Sequence, residues 1–216
     1  MKRGLFVSVA AAAMTLVLIV PPSPLAASTP SLIGTVSNST TLSGVTSIAV
    51  AGNYAYATAY YPGTLTAIDV SNPGQPVVVG QSNATNNLKN ASTVNIAGGY
   101  AFVASKNRNG ANGSGSNDDG TGNSLTILDV ATNPAQPAVL GSIRDPINLF
   151  GAYGVAVSGH YAFVAAQGCI GGQPCPNPNV GDSFAVIDVA DPSSPTLVAT
   201  LKDSNLPSPW TGTWRS

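Results

Sequence analysis

Apolar positions in this chain fall in short runs, broken every few residues by Gly, Pro, Asn or Asp. Within the runs small Ala alternates with Tyr, Phe, Val or Ile, as in "YAYATA" (54–59) and "YAFVAA" (161–166). Runs of this length, bounded by turn residues and rich in β-branched and aromatic side chains, predict β-strands. Both faces of such a strand are apolar, so both must be covered by neighbouring layers. One run is different: Leu5 to Val20 is apolar without interruption or charge.

Comparing the chain with itself turns the scattered strands into a repeat. Three segments align: "VTSIAVAGNYAYATAYYPGTLTAIDVSNPGQPVVVGQS" (45–82), "TVNIAGGYAFVAS" with "SLTILDVATNPAQPAVLGSI" (93–105 and 124–143), and "YGVAVSGHYAFVAAQ" with "SFAVIDVADPSSPTLVATLK" (153–167 and 183–202). Each unit predicts four short strands, a to d. The a–b turns are Gly52-Asn53, Gly98-Gly99 and Gly159-His160, with glycine first as a type II′ hairpin prefers. Strand c ends in Asp69, Asp129 or Asp188, followed by an Xaa-Pro turn.

Four antiparallel strands in a repeat of this size are the pattern of a β-propeller blade. A lone blade cannot bury its two faces, so neighbours are required. The predicted fold class is all-β: a β-propeller of three four-stranded blades plus a leading extra strand, part of a larger ring. The extra strand is "PSLIGTV" (30–36), which matches strand d of the first unit, "PVVVGQS". The predicted divisions are a signal peptide at 1–27, a leading segment with a lone strand at 28–44, and blades at 45–92, 93–152 and 153–203. Residues 204–216 are the start of a further blade or a tail. An open three-blade module that self-associates is the alternative to a larger ring.

The run "VAVSGHYAFVA … FAVIDVADPSSPTLVA" resembles the LVIVD repeat family, exported β-propeller proteins of bacteria and archaea, over roughly residues 45–202. The resemblance implies the blade fold and an extracytoplasmic location; it implies no shared catalytic set. The insertions at 106–123 and 168–182 depart from the compact repeat.

Composition agrees with this reading. Charged residues make up 8% of the chain, and Gly 23 and Pro 17 disfavour helices. The formal net charge is −1; without residues 1–27, which hold Lys2 and Arg3, six bases face nine acids, giving −3. No basic run is present, so nucleic acid is not an expected partner. Lys2, Arg3, the apolar run to Val20, the prolines 21, 22 and 24, and Ala26-Ala27 have the layout of a secretory signal peptide, with cleavage after Ala27. The alternative is an uncleaved anchor, although 16 residues (5–20) fall short of the ~20 a bilayer-spanning helix needs. No other run is long enough to span, so a secreted or cell-surface protein is expected. In that compartment Cys169 and Cys175, within "CIGGQPC", read as a disulfide rather than a metal site.

Candidate chemistry is sparse. Asp69, Asp129 and Asp188 recur in every unit, which favours a turn-capping role over a unique site. Gly52, Gly98 and Gly159 are likewise structural turn residues. His160 is the only histidine and occupies a turn slot. In "NRNGANGSGSNDDGTGNS" (107–124), Asn117, Asp118, Asp119 and Asn123 are weak Ca²⁺ candidates; the spacing fits no EF-hand, and a flexible insertion is the default. No other cofactor is expected. Asn38, Asn83, Asn90 and Asn112 lie in N-x-[ST] sequences, relevant only if the host glycosylates. The leading functional expectation is a non-catalytic scaffold or binding module, taking a protein or carbohydrate ligand at the rim from which both insertions project. The alternative is an extracytoplasmic hydrolase or lyase with its site in the propeller channel.

Overall fold

The computed structural model describes residues 30–106, 120–168 and 181–202. The chain divides into a leading unit, Met1–Leu32, and a second unit, Ile33–Ser216, which holds every element described below. The predicted signal peptide and the tail 204–216 lie outside the described residues.

Among the described residues twelve strands form three four-stranded sheets. The first holds β1 (Val45–Ala51), β2 (Tyr54–Ala59), β3 (Thr64–Asp69) and β4 (Val77–Gln81). The second holds β5 (Ala91–Ala97), β6 (Tyr100–Ser105), β7 (Ser124–Asp129) and β8 (Ala138–Arg144). The third holds β9 (Ala152–Ser158), β10 (Tyr161–Ala166), β11 (Ser183–Asp188) and β12 (Thr196–Lys202). Each sheet is an antiparallel meander in chain order. The first strands of successive sheets adjoin, β1 with β5 and β5 with β9. Strands a therefore converge and strands d lie outermost, so the sheets are blades of a β-propeller.

Register repeats with the sequence. The first residue of each strand b pairs with the last of strand c: Tyr54 with Asp69, Tyr100 with Asp129, Tyr161 with Asp188. Every strand d carries a register shift, skipping Val79, Leu140 and Val198. The a–b turns are not all alike. Gly52 and Gly159 have positive φ and are followed by residues without it, as II′ requires, whereas Gly98 and Gly99 are both positive, the I′ pattern. Only the second unit has glycine at both places, and only there is the I′ pattern free of Cβ strain.

Blades stack through the central strands. Phe102, Ala104, Leu125 and Ile127 of blade 2 pack with Ala162, Val164, Ala185 and Ile187 of blade 3. Tyr56, Leu65 and Ala67 of blade 1 pack with Ala101, Val103 and Leu128 of blade 2. This is why the strands are apolar on both faces. On the far side of blade 3 the same repeat positions are open: Phe184 is 45% exposed, while its counterparts Leu65 and Leu125 are fully buried.

A second repeated contact fixes blade spacing. Gly80 in β4 lies so close to the c–d turn of blade 2 that a Cβ would overlap the Ala135 carbonyl oxygen, and Gly141 in β8 lies equally close to Pro192 and Ser193 of blade 3. Gly34 meets Pro73 and Gly74 of blade 1 in the same way. Residues 33–36 thus occupy the place that strand d of a preceding blade would hold. They differ from the expected lone strand in forming no ladder among the described residues, because none of the three described sheets pairs with them. The matching position in β12 is Ala199.

Candidate functional site

A four-strand meander sends its connections to two rims. One rim carries the a–b and c–d turns; the other carries the b–c connections and the chain passing from d to the next a. The two rims have different chemistry.

On the turn rim the repeated carboxylates are engaged by backbone. Asp69 Oδ1 accepts the Ser71 N–H at 2.8 Å, and Asp188 Oδ1 accepts that of Ala190 at 2.9 Å. Asp129 Oδ1 accepts the N–H groups of Ala131 and Thr132, and its Oδ2 accepts the Thr132 hydroxyl at 2.6 Å. Hydrogen bonds from Ser71 hold the Asp69 carboxyl below the usual carboxylate range, and bonds from Thr132 do the same for Asp129. Gly52, Gly98 and Gly159 lie in the a–b turns with positive φ. His160 is exposed in its turn, 4.2 Å between ring centroids from Tyr161. It borders a groove of about 240 Å³ between blades 2 and 3.

The b–c rim is built by a different repeated device. The residue before each strand a has positive φ: Gly44, Asn90 and Gly151. Its carbonyl accepts the N–H of the first residue after strand b, namely Tyr60 (3.2 Å), Lys106 (3.2 Å) and Gln167 (3.1 Å). The residue before each strand c has positive φ as well: Gly63, Asn123 and Asp182. Asn and Asp are the side-chain-bearing residues that tolerate this conformation best. The backbone of the rim is therefore constant while its side chains change from blade to blade.

These changes put a cation between aromatic rings. Lys106 Nζ lies 5.8 Å from the Tyr60 ring centroid and 5.3 Å from that of Tyr153, within cation–π range. Each of the three comes from a different blade. Tyr61 packs edge-on to Tyr60 at 5.3 Å and is 60% exposed; Tyr153 is 47% exposed. Sequence reading missed this cluster. The signal was the slot after strand b, where Tyr60, Lys106 and Gln167 stand at equivalent places.

Both insertions leave from this rim, between β6 and β7 and between β10 and β11. The base of the second is closed by backbone: Gly168 N–H donates to Phe150 O at 3.1 Å and Gly181 N–H to Ile147 O at 2.8 Å. Cys169, Cys175, Asn117, Asp118 and Asp119 lie outside the described residues. Asn123, the remaining calcium candidate, is buried, and its Oδ1 accepts the Gly151 N–H at 3.0 Å. Its backbone oxygen accepts the Asp145 N–H at 3.0 Å. Asp145 is opposed by partial burial, but the Asn148 amides, the Ile147 N–H and the Lys202 charge outweigh it and lower its pKa.

A groove of about 590 Å³ is on neither rim. It lies on the open face of blade 1, between Val36 and Leu42 on one side and Ile48, Ala57 and Ile68 on the other.

Blades of this kind, repeated in chain order around converging inner strands, define a β-propeller repeat protein. The LVIVD repeat model matches residues 44–84, 89–109, 120–145, 151–169 and 179–203, and the chain belongs to that family. No significant match to a curated protein was found. Among solved structures the chain is similar to a candidate 6-phosphogluconolactonase from Bacteroides uniformis, at 10% identity and TM-score 0.54, over 74% of this chain and 41% of that one. It is similar to a protein from Lactobacillus plantarum at 12% identity and TM-score 0.53, over 77% and 44%. It also resembles the Myceliophteria thermophila Swd1 β-propeller domain at 15% identity and TM-score 0.48, over 73% and 43%. The chain spans less than half the length of each. At these identities the likeness concerns the fold.

Proposed function

We propose that the chain is an exported, non-catalytic binding module that takes a protein or carbohydrate ligand at its b–c rim. The observation that carries this reading is the contrast between rims. The repeated carboxylates are consumed by turn N–H groups, whereas both insertions and the Tyr60–Lys106–Tyr153 cluster share the other rim. Loops and irregular side chains on a rigid scaffold are where binding function concentrates. His160 is on the turn rim, away from both insertions, which speaks for the non-catalytic reading. Secretion by a cleaved signal at 1–27 and a Cys169–Cys175 disulfide stapling the second insertion complete the proposal.

The test uses the mature chain against a panel of defined polysaccharides and surface proteins. Two variants accompany it, lacking residues 107–119 or 169–180. Each deletion is expected to keep the strand signature in circular dichroism and to weaken any measured binding by about tenfold or more, the size of one lost hot-spot contact. Unchanged binding in both deletions contradicts the placement.

A further inference from the structure

The connections that lead into strand a carry a repeated plug. Leu42, Leu88 and Leu149 each stand two residues before the positive-φ residue, Gly44, Asn90 or Gly151, that precedes strand a. All three fall eight residues after a glycine that meets a c–d turn, namely Gly34, Gly80 and Gly141. Leu88 and Leu149 are fully buried. Leu88 clusters with Tyr56, Leu65 and Ala67 of blade 1, and Leu149 with Phe102, Leu125 and Ile127 of blade 2. Each of the two thus covers the face of the blade that its own chain has just completed. Leu65 and Leu125 stand near the start of strand c, so the cover reaches the b–c end of that face.

Blade 3 has no such plug among the described residues. Phe184 stands where Leu65 and Leu125 are buried, and it is open. Leu201, directly across from it in β12, is 70% exposed, whereas Ile143, across from Leu125, is packed against the core. Directly opposed residues share a face of the sheet, so Phe184 and Leu201 form one apolar patch. A second copy does not fit this patch. A blade set there at the internal spacing would press its c–d turn onto Ala199, which stands where β4 and β8 have Gly80 and Gly141. In blade 1 of such a copy the turn at Pro73 and Gly74 is also already met by Gly34. The chain leaving β12 has the right chemistry and is tethered at the right place. Asp203 opens it as Asp145 opens the connection 145–151, and Trp210 stands two residues before Gly212, as the leucines stand before Gly44, Asn90 and Gly151. Trp210 falls eleven residues after Ala199, and Pro207, Ser208 and Pro209 supply the three extra residues. This segment lies outside the described residues.

We infer that Trp210 closes the open end of blade 3, seated on Phe184 and Leu201 as Leu88 and Leu149 are seated on the blades before. Phe163, nearer the turn rim, is left uncovered by it. The chain has two tryptophans, Trp210 and Trp214, so its own fluorescence is the probe. In the mature chain carrying Trp214→Phe, the Trp210 emission is expected to lie blue of its position in urea and to resist acrylamide quenching. Phe184→Glu and Leu201→Glu are each expected to shift it red, with the strand signature in circular dichroism kept. Ile48→Glu, at an exposed site on the far face of blade 1, is expected to leave it unmoved. Trp210→Ala is expected to lower the melting temperature by about 4 °C or more, and Trp210→Leu, which restores the repeated residue, by less than half of that. Emission at the urea position, with Trp210→Ala thermally silent, overturns the inference. A blue emission indifferent to both glutamates also overturns it, since Trp210 is then seated elsewhere. So does a blue emission that reddens on dilution as a dimer dissociates in sedimentation, which gives the face to a second copy.

Discussion

The two rims of the propeller share one backbone scheme and differ in what their side chains do. On the turn rim the same residue types return in each blade: glycine in the a–b turn, aspartate at the end of strand c, proline after it. Their polar atoms are spent on neighbouring N–H groups. On the b–c rim the backbone also repeats, through paired positive-φ positions, yet the slots after strand b hold Tyr60, Lys106 and Gln167 in turn. Repetition in a propeller marks what every blade needs in order to stack. Departure from repetition marks what the molecule does once.

The largest effects should come from breaking the stack. Phe102 and Phe163 occupy the same place in blades 2 and 3, but Phe102 is buried against blade 3 and Phe163 is half-buried on an open face. Phe102→Ala is expected to cost about 3–5 kcal/mol in chemical denaturation, and Phe163→Ala well under half of that. Equal costs would mean that the open face is covered in solution. Next in size is the blade-spacing glycine. Gly141→Ala forces a Cβ against two backbone carbonyls and is expected to cost about 1–3 kcal/mol, whereas Ala199→Gly should cost no more than about 1 kcal/mol. Comparable losses from the two would remove the spacing role from Gly141.

Smaller effects separate the rims by pH. The carboxyls of Asp129 and Asp145 lie below their unfolded values, so their contribution is present above pH ~4 and lost as pH falls through the folded pKa values. Asp129→Asn should therefore lower the melting temperature at pH 7 and flatten its fall below pH 4, while leaving ligand binding unchanged. Loss of binding in this variant would move function to the turn rim. The smallest stability effect, near zero, is expected from Tyr153→Ala, which should instead weaken binding.

The blade fold was legible in the sequence because its signals are local and occur three times. Strand c with its aspartate, the Xaa-Pro turn and the leading glycine of each a–b turn need no knowledge of distant contacts. The difference between the II′ and I′ turns was written in Gly99, but only backbone angles reveal it. The leading segment was recognised by its likeness to strand d; that its glycine already sits on the turn of blade 1 is a tertiary fact. The cluster on the b–c rim was out of reach for a different reason. Tyr60, Lys106 and Tyr153 are 46 and 47 residues apart in succession and meet only because three blades fan around one axis.

Hydrogen exchange of the mature chain, with and without saturating amounts of a ligand that binds in the panel, places the interface in one measurement. Protection is expected in the amides that flank the b–c rim, at 59–63, 89–91, 105–106 and 166–168, with the turns at 51–54, 97–100 and 158–161 unchanged. Protection centred on the turn rim, with the b–c rim unaffected, would contradict the division between repeated structure and unrepeated function.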